Sequence, residues 1–182
     1  MLRRFPLFLV FMCMIMPTIP YAETVKDNGL PENVRTQVHV PLKQVGEGNY
    51  RKFGFKIYHA TLWAPDGAWD ATKPYALKLE YARSLSKDTL LDAVMDDIRE
   101  ENVTDDKTLA RWHDVLNASL PAVEEDDTII GLAVPGKKSL LFYNGKNIAS
   151  IEDKALSNAF FNIWLGATAN ENLRKKLLGQ PE

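Results

Sequence analysis

The sequence predicts a single α+β domain in which an antiparallel sheet carries helices on one face. Two segments with alternating apolar residues come first, two helical segments follow, and three short apolar segments then precede two more helices. This order contains no strand–helix–strand crossover of the kind that builds parallel sheets, so neighbouring strands should run antiparallel. The domain is expected to span residues 34–182, after a signal peptide at residues 1–22 and a flexible leader at residues 23–33.

The first two strands are predicted at residues 52–64 and 75–82. Residues 52–64 alternate between apolar and polar side chains and then become apolar on both faces, which is typical of a long strand that enters a covered region. Asp66-Gly67 marks a turn between them, so the two strands should pair. The preceding residues 46–48, Gly-Glu-Gly, indicate a glycine-rich bend.

Two helices are predicted next because the apolar period changes from two to about 3.6 residues. Ser86 is the expected cap of the first helix, and Thr104 or Asp105 is the expected cap of the second, which Pro121 ends. The apolar stripes of these helices are formed by Leu90, Leu91, Val94 and Ile98 and by Leu109, Trp112, Leu116 and Leu120.

The remaining elements are predicted from turn residues and from a return to helical spacing. Strands are expected at residues 128–134, 139–143 and 146–151, and Asn-Gly at 144–145 is the strongest short hairpin signal. Two helices should close the domain near residues 153–165 and 171–178, since Gly166 and Gly179 follow them as end signals.

The N-terminus has the pattern of a cleavable secretory signal peptide. Arg3 and Arg4 precede the apolar run 5–16, and Ala22 stands before a charged segment. A retained membrane anchor is the alternative, but the run is shorter than the ~20 residues that a spanning helix needs. We therefore expect a periplasmic or secreted protein without a stable membrane anchor after processing, and its only cysteine, Cys13, would be removed.

Charge and residue spacing argue against several classes of function. The chain has 24 acidic and 22 basic residues, and loss of Arg3 and Arg4 makes it more negative, so neither nucleic acid nor an anionic membrane surface is an expected partner. The three histidines, His39, His59 and His113, are scattered, whereas a metal site needs convergent ligands. No metal and no cofactor is expected.

Four segments together resemble the chalcone isomerase-like family, in particular its exported bacterial branch. They are residues 46–63 (GEGNYRKFGFKIYHATLW), 76–83 (ALKLEYAR), 142–146 (FYNGK) and 159–166 (AFFNIWLG). The resemblance implies a chalcone isomerase-like fold, a large antiparallel sheet covered on one face by helices with an apolar cleft between them.

The resemblance also implies that the catalytic residues of the plant enzymes are largely missing. Those enzymes cyclise chalcones with an arginine, a threonine, a tyrosine, an asparagine and a late hydroxyl residue, of which only the arginine has a match, Arg51. The threonine is replaced by Tyr58, the tyrosine and asparagine by residues near Leu90 and Asp97, and the late hydroxyl residue by Ile163. We therefore lean towards a protein that is not an enzyme.

Other members of the family bind fatty acids through an arginine and a tyrosine, and similarity to them makes Arg51 and Tyr58 the expected ligand-binding residues. A guanidinium group matches the shape of a carboxylate. The two residues would need a bulge or turn near Gly54 to come together, because a straight strand would separate them by ~23 Å. A surface ion pair of Arg51, for example with Glu47, is the alternative.

The leading hypothesis is an exported, non-catalytic protein that binds an apolar or amphipathic small molecule such as a fatty acid. A module that docks another envelope protein is the second hypothesis, and an isomerase with atypical active residues is the third. A binding protein should have an apolar internal cleft, whereas an interaction module should have an exposed apolar patch and no cleft. An isomerase should have paired titratable groups inside a cleft.

Overall fold

The fold is seen in a computed structural model that describes residues 29–101 and 104–180. The predicted signal peptide and residues 23–28 of the predicted leader lie outside the described residues. Everything stated below about contacts and cavities refers to the described part of the chain.

A six-stranded antiparallel sheet forms the centre of the domain, and its strands follow one another in chain order. The sequence predicted five of these strands and missed the first. The strands are β1 (Leu42–Lys52), β2 (Phe55–Pro65), β3 (Tyr75–Tyr81), β4 (Thr128–Ala133), β5 (Ser139–Tyr143) and β6 (Lys146–Ile151).

Four longer helices and one short helix accompany the sheet. They are α1 (Glu32–Arg35), α2 (Lys87–Glu100), α3 (Asp106–Ser119), α4 (Lys154–Leu165) and α5 (Glu171–Leu177). Ser86, Asp105 and Asp153 cap α2, α3 and α4 by accepting hydrogen bonds from backbone N–H groups of the first turn. Within the described part of the chain, every helix is too short or too polar to cross a lipid bilayer.

The main core lies between one face of the sheet and the helices α2 to α5. Alternate residues of each strand contribute to it, such as Leu77 and Leu79 of β3, which meet buried side chains including Phe160 and Trp164 of α4. The predicted α+β architecture, with helices on one face of an antiparallel sheet, is therefore confirmed.

The opposite face of the sheet is covered as well, by the segment that contains α1. Leu30 and Val34 are fully buried there against Trp63, and the Asn33 side chain donates a hydrogen bond to the Gly145 carbonyl. The expectation of a flexible leader is therefore wrong for residues 29–33. These few apolar side chains meet the outward-facing apolar residues of β2 to β5, which sequence reasoning left without a partner.

The prediction of a glycine-rich bend at residues 46–48 is also wrong, because Gly46 and Gly48 lie inside β1. Both glycines face α5 at very short distance: a Cβ atom on Gly46 would lie 2.0 Å from the Lys176 carbonyl oxygen, and one on Gly48 would lie 2.9 Å from Leu173 Cδ1. The glycines allow a helix to pack directly onto the strand backbone. The turn comes later, at Phe53-Gly54, where both residues have positive φ.

Candidate functional site

A cleft of about 290 Å³ opens between the helix-facing side of the sheet and the helices α2 and α4. We call it the central cleft. Most of its wall is apolar, which suits a hydrocarbon chain, and the volume lies near the lower end of the ~300–1,000 Å³ that small-molecule sites occupy. The apolar wall includes Leu79 and Ile129 from the sheet, Leu90 and Val94 from α2, and Phe160 and Ile163 from α4.

A row of tyrosines forms one side of the central cleft because three neighbouring strands place them in register. Tyr50 pairs with Tyr58 across β1 and β2, and Tyr58 pairs with Tyr81 across β2 and β3. The Tyr50 and Tyr58 rings stack with centroids 5.0 Å apart, and the Tyr81 ring meets Tyr58 edge-on at 6.1 Å. Such aromatic contacts fix the ring positions beyond what burial alone achieves.

The Tyr58 hydroxyl is the polar group best placed to contact a ligand. Its oxygen accepts a hydrogen bond from Trp164 Nε1 at 2.9 Å, and both side chains line the central cleft. Burial raises the pKa of Tyr58, so the hydroxyl stays protonated. Among residues 29–101 and 104–180 no hydrogen bond donated by this hydroxyl is found, which leaves its hydrogen able to bind an acceptor on a ligand.

Charged groups stand at the solvent end of the central cleft. Lys52, Asp97 and Glu100 contribute to its wall and remain exposed. Partial desolvation raises the pKa of Asp97 above its ordinary value, and the negative charge of Glu100 raises it further, whereas Lys52 acts in the opposite direction. The polar end therefore has one ammonium group, one tyrosine hydroxyl and carboxylates, and the pKa of Asp97 is raised above its ordinary value.

A smaller cavity of about 170 Å³ adjoins the central cleft and shares Tyr50, Tyr58 and Trp164 with it. We call it the side cavity. Its far wall comes from the α4–α5 connection, which Glu101 holds in place by accepting hydrogen bonds from Asn162 at 3.1 Å and from Thr168 at 2.7 Å. These hydrogen bonds connect the end of α2 to α4 and to the α4–α5 connection.

The structure places one of the two predicted ligand-binding residues in the central cleft. Tyr58 is part of its wall, but Arg51 is exposed and donates a hydrogen bond to the Gly54 carbonyl at 3.2 Å, outside the cleft. Alternation along β1 explains this, since Tyr50 and Lys52 face the helices and Arg51 faces away. The predicted turn near Gly54 is present, yet it does not bring Arg51 to Tyr58. The cation of the cleft is Lys52.

The four positions that the sequence matched to missing catalytic residues do meet in one place. Tyr58, Leu90, Asp97 and Ile163 all line the central cleft. Sequence reasoning found these positions but missed Lys52, because β1 was not recognised as a strand and the facing of its residues was therefore unknown. The role of Trp164 as a hydrogen-bond donor was also missed, since an aromatic residue on a core helix gives no such signal.

The cleft bears differently on the three functional hypotheses. An apolar cleft is what a binding protein requires, and the interaction module was expected to lack one. The titratable groups Lys52 and Asp97 lie in the cleft, as the catalytic hypothesis requires. No group of three or more metal-ligating side chains that could hold an ion occurs in the part of the chain that the structure describes.

Comparisons with known proteins place the chain among relatives of one family. A family model described as chalcone isomerase-like matches residues 22–179. A crystal structure of an Arabidopsis thaliana fatty-acid binding protein, AtFAP1, is similar with a TM-score of 0.57 and 12% sequence identity, covering 76% of this chain and 87% of that chain. At this identity the likeness shows a shared fold alone. No curated protein sequence matches the chain.

Proposed function

Because this chain belongs to the chalcone isomerase-like family, we propose that it binds an apolar or amphipathic small molecule, such as a fatty acid, without catalysis. The observation that carries the proposal is the central cleft itself. It is an apolar space between sheet and helices that ends in a tyrosine hydroxyl and a lysine. The apolar wall would hold a hydrocarbon chain, and the polar end would hold the head group.

The plant fatty-acid binding protein with the same fold makes a fatty acid the first ligand to consider. In this chain the positive charge must come from another residue, since Arg51 lies outside the cleft. The Tyr58 hydroxyl would donate a hydrogen bond to the carboxylate, and Lys52 would supply the positive charge. The carboxylates of Asp97 and Glu100 repel an anionic head group, whereas Lys52 attracts it. The affinity for a fatty acid therefore depends on the net charge at the polar end of the cleft.

Titration of the lipid-free protein with a long-chain fatty acid tests the proposal. Trp164 lies in the wall of the central cleft, so its fluorescence should change on filling, and calorimetry should give one saturable site. The methyl ester of the same acid is a neutral probe that keeps the chain and removes the charge. If neither compound binds, the proposal is wrong.

Replacing Asp97 by asparagine should tighten binding of a fatty acid at neutral pH by about fivefold. The change removes a like charge near the head group, which is worth about 1 kcal/mol for exposed groups. In the unchanged protein, affinity should rise as the pH falls through the raised pKa of Asp97, because protonation removes the same charge. The variant should lose the part of this pH dependence that comes from Asp97, and titrations of both proteins at several pH values would measure the difference.

The same substitution should also stabilise the unliganded domain at neutral pH. A carboxyl whose pKa is raised in the folded state contributes stability that is present below its ordinary pKa and is lost as the pH rises through the raised value. Asp92→Asn on the same helix is the matched control, since Asp92 is exposed and does not line the cleft. Turnover of a chalcone that disappears in Asp97→Asn would support the isomerase hypothesis instead.

We also propose that the protein acts outside the cytoplasm, in the periplasm or after secretion. The proposal rests on the signal-peptide pattern of residues 1–22. N-terminal sequencing of protein from fractionated cells should find a chain that begins at Glu23 in the soluble extracytoplasmic fraction. An intact Met1 in the membrane fraction would contradict export by cleavage.

A further inference from the structure

The tip of the β1–β2 hairpin, residues 51–56, exposes two aromatic side chains. Phe53 has 90% of its surface exposed and Phe55 has 62%, the largest values among the big apolar residues that the structure describes. The tip also projects beyond the sheet: β3 pairs with β2 only as far as Tyr58, whereas β1 continues to pair with it as far as Phe55. Packing within the domain therefore does not explain these phenylalanines.

The turn at the tip does not explain Phe53 either. Phe53 and Gly54 have φ values of +52° and +83°, and the β5–β6 hairpin makes the same kind of turn with Asn144 and Gly145 at +46° and +77°. Asparagine and glycine tolerate the left-handed region, whereas a bulky side chain there is strained. A residue that is unfavourable for the turn and is exposed to water indicates a function outside the folded domain.

Positive charge surrounds the two phenylalanines. The tip contains Arg51, Lys52 and Lys56, and no acidic residue occurs between Glu47 and Asp66. Arg83 adds a fourth cation, with its guanidinium carbon 5.0 Å from the centre of the Phe55 ring. Lys52 is shared with the central cleft, where it offsets part of the charge of Asp97.

The three other cations of this group are available to a partner. Among the described residues, Arg51, Lys56 and Arg83 form no ion pair within 4.0 Å. The chain as a whole is slightly acidic, so this concentration of positive charge is a local property of one projecting segment.

We propose that the hairpin tip docks the protein on the surface of an anionic lipid bilayer. Aromatic side chains enter the boundary between head groups and acyl chains, and nearby arginines and lysines bind the lipid phosphates. Charge complementarity selects this partner, since the tip combines exposed rings with unpaired cations on a small projecting loop. Docking would place the opening of the central cleft beside the lipid, because Lys52 belongs to both, and the proposal holds whichever molecule the cleft binds.

Sedimentation with lipid vesicles tests the proposal. The protein should lack residues 1–22, because that apolar segment would itself enter lipid, and every described element lies within residues 29–180. Binding to vesicles of phosphatidylglycerol and phosphatidylcholine should exceed binding to phosphatidylcholine alone by about tenfold, and salt should weaken it. No ligand for the cleft is added, so failure here is independent of the proposed function.

The double variant Phe53→Asn, Phe55→Thr should bind the anionic vesicles at least about tenfold more weakly. Its thermal stability should be unchanged or higher, since Asn-Gly is favoured in this turn. Phe53→Asn alone provides a milder test if the double variant is poorly folded. Val40→Thr is the matched control, because Val40 is an exposed apolar residue that precedes the other end of β1.

The control should bind like the unchanged protein. Equal vesicle binding by the unchanged protein and the double variant would overturn the proposal. Absence of binding to anionic vesicles would also overturn it and would indicate that the tip contacts a protein instead.

Discussion

Replacing Gly46 by alanine is expected to destabilise the domain by about 3 kcal/mol. The new Cβ atom would lie 2.0 Å from the Lys176 carbonyl oxygen and 2.8 Å from that of Leu177. These are backbone atoms at the end of α5, so no side-chain rotation can relieve the clash. Overpacking costs about 1–3 kcal/mol where neighbours can adjust, and a clash with backbone should reach the upper end of that range. Urea unfolding would measure the change.

The effect should reach the side cavity as well, because α5 contributes Leu173 to its wall. Glu47→Ala is the matched control, since the Glu47 side chain contacts Gln44 and His59 and not α5. Loss of these exposed contacts should cost no more than about 1 kcal/mol. Equal unfolding midpoints for Gly46→Ala and the unchanged protein would show that α5 does not pack against β1 as closely as described.

Replacing Ile163 by tryptophan is expected to weaken binding of a long-chain fatty acid by about 100-fold. Ile163 lines both the central cleft and the side cavity, so a larger side chain at this position would occupy space needed by the ligand. Excluding a few methylene groups from apolar contact removes about 3 kcal/mol of binding free energy. Calorimetric titration of both proteins with the same fatty acid would measure the loss.

Val115→Trp on α3 is the matched control for this substitution. Val115 is also a β-branched residue on a helix, but it is 37% exposed and does not line the cleft. Binding by this variant should equal that of the unchanged protein, and both variants should unfold cooperatively. Full affinity in a folded Ile163→Trp variant would mean that the fatty acid binds elsewhere on the domain.

The helices could be predicted well because their signals are local. Ser86 and Asp105 cap α2 and α3, in agreement with the prediction, and the apolar stripe of α2 is buried as its spacing indicates. Hairpin turns with Asn-Gly are equally local. For each helix and each such hairpin, the residues that favour the structure and the residue that ends it lie within one short segment of the sequence.

The strand β1 could not be predicted because the reason for its glycines lies far away in sequence. Gly46 and Gly48 weaken a strand by propensity and are explained only by the close approach of α5. The burial of Leu30 depends in the same way on Trp63, which faces the side of the sheet opposite to the main helices. Such contacts are properties of the assembled domain.

Only part of the candidate site could be predicted, because the rest depends on contacts between segments that are distant in sequence. The resemblance to fatty-acid binding members of the family pointed to Tyr58, and this residue does line the central cleft. The facing of Arg51 and Lys52 depends on the register of β1, in which the pairing shifts between Tyr50 and Arg51. A one-residue difference in register exchanges the two faces of a strand. The resemblance pointed to Arg51, and without the register of β1 the sequence does not indicate that Lys52 faces the cleft.

A crystal structure of the protein with a fatty acid that carries bromine at the end of its chain tests whether the cleft between the sheet and the helices α2 and α4 holds the hydrocarbon chain of an amphipathic ligand. We expect an anomalous bromine peak inside the central cleft, among Leu79, Val94 and Phe160. A peak at any other place on a protein that binds the compound would contradict it.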